Sequence, residues 1–269
     1  NTLLIRCVGR KVQVSLNTET IVDVDLNTIR DRDQFRERPG FLREVGHIGF
    51  IQHNGRVEYR NLRIRELDTP RPHNQPPDGF IALFNGRNLQ GWNSWYADPL
   101  DRSKLSDAER QVVQARANEQ YLKHWTVESG ELIFDGKGVH LLTEQVYGDF
   151  ELWLDWRIAP GGDSGVYLRD TPQVQIWDNP IGSGGLYNNE RHASKPLVKA
   201  DNPPGEWNRF RILMLGDRVT VWLNETLVVH DTPLENYWSR SGPLPKEGHI
   251  WLQAHGTPLR FRNIFIRPL

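Results

Sequence analysis

Ser164 stands in Gly162-Asp163-Ser164-Gly165, the tetrapeptide that surrounds the nucleophile of chymotrypsin-like proteases. Such a nucleophile needs a histidine base, a buried aspartate and an oxyanion hole of neighbouring backbone N–H groups. Here Val166 and Tyr167 follow where that signature has glycine and proline. A single cysteine, Cys7, also excludes the disulfides usual in those enzymes. Gly161-Gly162 reads instead as a turn, with Asp163 or Ser164 bonding its backbone. Gly165 then lets a strand begin close to a ligand or another segment.

A second set of residues suggests different chemistry. Asp155, Arg169, Gln173, Gln175, Gln253 and His255 alternate along their segments with apolar residues, beside Trp153, Trp177 and Trp251. Carboxylate, amide and guanidinium groups match sugar hydroxyls, and an aromatic plane covers the apolar face of a pyranose. His255 is the member of this set whose type titrates near neutrality, which suits a base or an acid. Asp155 is its carboxylate partner or the alternative base, and Asp178 and Tyr187 are further candidates. The bland alternative is the wet face of an antiparallel sheet, with His255 serving a loop.

These side chains meet only if their strands are neighbours. Period-two alternation predicts strands over 149–158, 164–170, 172–178, 208–215, 218–224, 226–231, 249–255 and 259–268. In the first, Phe150, Leu152, Leu154, Trp156 and Ile158 share the core face, leaving Glu151, Trp153, Asp155 and Arg157 outward. Val166 and Leu168, Val174 and Ile176, and Ile250 and Leu252 likewise turn inward. If all these strands share one sheet, their polar faces form one groove. Many short strands with Gly and Asn turns imply an all-β sandwich. One helix is inserted over Ser106–Leu122, where Ser106 and Glu109 form a capping box; an insertion at a sandwich end is expected to wall one rim of the groove.

The chain also repeats itself. Asn1–Leu16 matches Asn208–Leu223, Gly46-His47-Ile48 matches Gly248-His249-Ile250, His53 matches His255, and YRNLRIREL (59–67) matches FRNIFIRPL (261–269). The expected organisation is the second half of a first copy over 1–67, a proline-rich linker over 68–79, and a complete copy over 80–269. The first copy has Gly49 and Ile51 where the second has Trp251 and Gln253, so it reads as degenerate. No initiator Met or export signal opens the chain, so a fragment is expected. A net charge of −1 gives no field for nucleic acid. No apolar run is long enough to span a bilayer, and no feature sets an oligomeric state.

Residues 80–269 resemble the 3-keto-disaccharide hydrolase family through GFIALFNGRNLQGW, YGDFELWLDWRI, GGDSGVYLRD, VQIWDN, GGLYN, GEWNRFRI and GHIWLQAHG…LRFRNIFIRPL, in that order. The resemblance implies a concanavalin-like jelly roll, an extracytoplasmic setting and an enzyme acting on 3-keto-glycosides. The C3 carbonyl of such a sugar acidifies the C2 proton, so a base can remove it and expel the C1 substituent, after which water adds. His255 and Asp155 are then the acid–base candidates, and Arg169 with Gln175 the binders of enolate and hydroxyls. Two positions depart from the family. It more often has Asn at 163, and an acid at 173 where this chain has Gln173. A lectin-like module using the same groove for binding alone is the alternative. No metal or cofactor motif is present; Trp177-Asp178-Asn179-Pro180 offers oxygens for a structural calcium, or simply an Asn-Pro turn.

Overall fold

The computed structural model describes residues 1–43, 46–67, 71–95 and 98–269. It divides into two units, Asn1–Pro72 and His73–Leu269. In the first, β1 (Leu3–Val8), β2 (Lys11–Leu16) and β3 (Glu19–Asp25) form a three-stranded antiparallel sheet, followed by α1 (Arg32–Glu37). Residues 46–67 carry no strand, although 59–67 repeats the sequence of 261–269, most of which is a strand in the second unit. Its counterpart in the second unit is paired on both sides, and the described residues of 1–67 hold no equivalent of those flanking strands.

The second unit contains β4 (Ile81–Ala82), β5 (Trp92–Trp95), α2 (Pro99–Ser103), α3 (Asp107–Tyr121), β6 (Trp125–Glu128), β7 (Glu131–Phe134) and β8 (His140–Thr143). There follow β9 (Phe150–Ile158), β10 (Asp163–Leu168), β11 (Thr171–Trp177), β12 (Asn208–Leu215), β13 (Arg218–Leu223), β14 (Thr226–Pro233), β15 (Trp251–Leu252) and β16 (Leu259–Pro268). One sheet runs β14-β13-β12-β9-β16-β7-β6 with β4 beside β16; the other runs β11-β10-β15-β8-β5. Phe150, Leu152, Leu154, Trp156, Phe210, Ile212 and Phe261 from the larger sheet meet Val166, Leu168, Val174, Ile176, Ile250 and Leu252 from the smaller in one dry core. The architecture is the all-β jelly-roll sandwich expected. No helix among the described residues is long and apolar enough to cross a membrane.

The two units repeat one hairpin in atomic detail. Leu3↔Leu16, Ile5↔Val14 and Cys7↔Val12 in the first pair as Phe210↔Leu223, Ile212↔Val221 and Met214↔Val219 in the second. Asn17-Thr18 and Asn224-Glu225 both take positive φ at the following turn. Asn17 exchanges bonds with Thr2 as Asn224 does with Arg209.

The expected linker is only partly free of structure. Residues 68–70 lie outside the described residues, but His73 and Asn74 belong to the second unit. Asn74 and Asn263 each donate a backbone N–H to the other's side-chain oxygen, at 2.7 and 2.9 Å, and Asn74 Nδ2 reaches the Gly130 carbonyl at 2.8 Å. Gly86 faces this side chain with φ of 73°, and a Cβ there would stand 2.6 Å from Asn74 Nδ2.

The inserted helix forms as the capping pattern predicts. Ser106 caps α3 and Glu109 returns the bond to Ser106 N at 2.8 Å. Asn118 accepts from Ser94 N at 2.9 Å and donates to Asn93 at 2.8 Å, which fastens α3 to edge strand β5. Leu105 and Val113 pack on Trp95, Leu142, Tyr167 and Trp251. The helix thus walls one side of the smaller sheet's outer face.

Candidate active site on the outer face of the smaller sheet

The sandwich separates residues that the sequence groups together. β9 lies in the larger sheet, so Asp155 and Trp153 face away from the other candidates. Asp155 is buried among cations: its carboxylate accepts from Arg209 Nε at 2.8 Å, Arg262 Nε at 3.4 Å and Asn263 Nδ2 at 2.6 Å. Trp153 packs on Phe80 and Phe265, with its indole N–H on Glu151 at 2.8 Å. Alternation assigns a residue to a face of its own strand, and it is silent on which sheet that strand joins.

Arg169 is also displaced. Arg169 and Asp170 are the two positive-φ residues of a tight β10–β11 turn, in which Leu168 pairs with Thr171. The guanidinium, 2 % exposed, turns below the sheet to the carbonyls of Lys246, at 3.1 Å, and Gly216, and stands 3.6 Å from Asp149. Trp251 keeps its predicted face but is fully buried under Leu105, Val113 and Trp238, its indole N–H on Asp170 at 2.6 Å. It offers no open stacking plane.

The remaining candidates do converge, because short strands bring them into rows. Gly165 pairs with Gln175, and Gln253 N donates to the Gly165 carbonyl at 2.9 Å. β15 and β8 pair as Trp251↔Leu142 and Leu252↔Leu141, so one step further sets Gln253 beside His140. A row of Gln175, Gly165, Gln253 and His140 thus crosses four strands. Tyr167, paired with Trp251, stands on one side of it, and Asp163, paired with Trp177, on the other. His255 follows β15, with Nδ1 3.7 Å from Asp163 Oδ2. Tyr167 and Gln173 are buried, whereas His255 is exposed, so the row opens toward Asp163 and His255.

The opening tetrapeptide therefore serves this face through its aspartate. Asp163 Oδ1 accepts from Gln175 Nε2 at 2.7 Å, and Gln175 Oε1 accepts from Gln173 Nε2. A carboxylate accepts only, so it fixes the orientation of both amides and turns Gln173 Oε1 away from the relay. Among the described residues neither Gln173 Oε1 nor Gln253 Oε1 accepts a hydrogen bond, and both atoms are buried. Gly165 makes the room: a Cβ there would lie 2.8 Å from Gln173 Cδ. The acid that the resemblance puts at 173 is missing, and a carboxylate stands instead at 163, two hydrogen bonds away. Ser164 is fully buried with its hydroxyl on the Gln253 carbonyl at 2.8 Å, so it is a strap between strands.

The sequence pattern does not point to His140 and Tyr167. Burial first, and the charge of His255 second, hold the His140 imidazole down to about 4, so it is neutral at pH 7. Burial pushes the Tyr167 hydroxyl up to about 12, against a small opposing effect of the Gln253 hydrogen bond. Only four residues of β8 carry alternation, too few to reveal it as a strand. Alternation with Val166 and Leu168 turns Tyr167 outward, but a lone tyrosine there carries no sign of chemistry.

Trp177, Asp178 and Tyr187 sit at the margin. Trp177 and Tyr187 meet edge to face at 5.5 Å, and Tyr187 N bonds the Gln173 carbonyl at 3.3 Å, which places the exposed Tyr187 ring beside the row. Trp177 and Asp178 also line a separate pocket of about 210 Å³ at the sandwich end with Trp156, Lys199 and Asp201. Asp178 Oδ2 accepts from Gly161 N at 2.9 Å and Asn179 Oδ1 from Ile181 N at 3.0 Å, so these side chains brace turns. Among the described residues no cluster of three His, Cys, Asp or Glu is arranged to hold a metal.

Known proteins share this architecture. Residues 1–65 and 79–267 match the family described as 3-keto-alpha-glucoside-1,2-lyase-like domain. A protein of Bacteroides thetaiotaomicron named 3-keto-disaccharide hydrolase is 24% identical over 271 aligned positions, covering 78% of this chain and 85% of its own. Two solved structures of candidate glycosyl hydrolases from Parabacteroides distasonis superpose with TM-scores of 0.54 and 0.52, at 23% and 27% identity. They cover 74% and 76% of this chain and 100% and 94% of their own. The chain belongs to the carbohydrate-active 3-keto-alpha-glucoside-1,2-lyase-like family.

Proposed function

We propose that the outer face of the smaller sheet cleaves 3-keto-glycosides by elimination followed by hydration. The observation that carries this reading is the pair of unspent acceptors, Gln173 Oε1 and Gln253 Oε1, beside the His255–Asp163 pair. Buried acceptors without partners cost about 1–3 kcal/mol each, a cost that ligand hydroxyls would offset. Asp163 takes the carboxylate role that the sequence assigned to Asp155. His255 removes the C2 proton, and the electron pair left at C2 forms the C1=C2 bond as the C1–O bond breaks. The departing oxygen takes the proton from the His255 imidazolium, whose charge Asp163 stabilises. Water then adds its hydroxyl to C1 and its proton to C2, giving net hydrolysis. An extracytoplasmic setting belongs to the same reading through the family.

Incubation with 3-keto-trehalose and with unoxidised trehalose tests it. Release of glucose and 3-keto-glucose from the oxidised sugar alone is the expected result. Saturable binding of either sugar with no cleavage would replace the enzyme by a lectin-like module.

A further inference from the structure

Elimination from a 3-keto-glycoside passes negative charge through the C3 oxygen, and a preorganised donor at that oxygen is where a site gains most. Arg169, the guanidinium the sequence offers for this task, is committed to backbone carbonyls and Asp149 below the sheet. Another donor stands in the row itself. The Ala254 backbone N–H donates to His140 Nδ1 at 3.0 Å. That nitrogen is therefore the acceptor, and the proton of the neutral ring is on Nε2. Among the described residues the Nε2–H group meets no acceptor. The ring stands 5.6 Å from Tyr167 and 5.9 Å from Trp251. Gln253 Nε2 donates to the Tyr167 hydroxyl oxygen at 3.4 Å, which leaves the Tyr167 O–H to donate elsewhere.

We propose that His140 is a catalytic residue that binds the enolate oxygen of the keto sugar through Nε2–H, with the Tyr167 hydroxyl as second donor; this rests on the elimination reading above. As His255 takes the C2 proton, the C2–H electron pair becomes the C2=C3 bond and the carbonyl π pair moves onto O3. His140 and Tyr167 keep their protons and hold that charge by hydrogen bonds. The pair then returns from O3 to restore C3=O, the C1=C2 bond forms, and the C1–O bond breaks. Burial suits both donors to the task, because a histidine held down to about 4 and a tyrosine pushed up to about 12 remain neutral.

The test is turnover of 3-keto-trehalose by the full chain and by His140→Ala, His140→Gln and Tyr167→Phe. His140→Ala is expected to lose roughly 100-fold in kcat with KM changed by less than about threefold. Gln keeps an N–H near the same place, so His140→Gln should recover part of the loss. Tyr167→Phe, which removes only one hydroxyl, should lose about tenfold. Nitrogen-15 NMR of the histidine rings supplies a readout free of turnover: Nε2 protonated and Nδ1 bare from about pH 5 to 8. A folded His140→Ala protein with the wild-type kcat, or a ring protonated on Nδ1, would overturn the assignment. Should His140→Ala not fold, His140→Gln and Tyr167→Phe decide it, and wild-type kcat in both would overturn it. A wild-type chain that leaves 3-keto-trehalose intact overturns the functional reading itself, and this role falls with it.

Discussion

Two aspartates show what a side chain's neighbours decide. Asp155 and Asp163 both stand on strand faces turned from the core, and the sequence favours the first. Asp155 is enclosed by Arg209, Arg262 and Asn263, whereas Asp163 is half-open beside His255 and holds the Gln175–Gln173 relay. Asp155→Asn is therefore expected to destabilise the fold by about 2 kcal/mol, leaving Arg209 and Arg262 without the buried carboxylate they share, and to keep kcat within about twofold. Asp163→Asn should do the reverse, because an amide can lie either way round and no longer fixes both glutamines. Urea titration with turnover of each variant separates the two; equal loss of turnover in both would return Asp155 to the site. A second expectation concerns pH. The folded-state value of His140, about 4, lies below its ordinary 6.5. Between those values the unfolded chain takes up a proton that the folded chain refuses, so stability falls as pH drops from 6.5 toward 4. Glu235 has a depressed value of about 2, where backbone and His192 hydrogen bonds outweigh its burial. Its contribution is complete above pH 4.5 and is lost as pH falls toward 2. The urea midpoint should thus decline in two stages, and His140→Gln should make only the upper one shallower, the rest of that stage belonging to His249, whose burial also holds it below its ordinary value.

The elements explain how far the sequence could be read. Alternation found the long strands and sorted their faces, and the capping box located α3 to within a residue of each end. It did not find β5 and β8, four residues each, yet these carry Trp95 and His140. Nor did it show that β9 runs between β12 and β16, in the opposite sheet from β10, although the two follow each other in the chain. Sheet membership depends on partners distant in sequence, and period two contains no information about them. The resemblance supplied the fold but not this division of residues. The joint between α3 and β5 has a testable role, since Asn118 satisfies Ser94 N and Asn93 together while Gln114 donates to the Ser94 carbonyl at 2.7 Å. Asn118→Ala should cost about 1–3 kcal/mol and raise KM by loosening the wall over Trp95 and Trp251. An unchanged KM with the same loss of stability would make α3 a structural cover only.

At the scale of the whole chain, two units carry one hairpin with the same register, the same Asn-led turn and the same Asn side-chain bond. Leu3 and Ile5 are exposed where Phe210 and Ile212 are fully buried, so equal local structure has unequal surroundings. The second unit contains both sheets of the sandwich, the core between them and every member of the row. Residues 73–269 alone are expected to unfold cooperatively and to keep the activity of the full chain. A fragment beginning at residue 80 should melt several degrees lower, because it lacks the paired Asn74–Asn263 bonds. Equal melting temperatures would show that this strap is idle. The central claim is that the row from Gln175 to His140, opening on Asp163 and His255, breaks glycosides by removing the C2 proton. Cleavage of 3-keto-trehalose in D2O, followed by NMR of the released 3-keto-glucose against an enzyme-free control, tests it most directly. The account predicts deuterium at C2 with the wild-type chain and no release with His255→Ala; released 3-keto-glucose that keeps its C2 hydrogen, or undiminished release by His255→Ala, would contradict it.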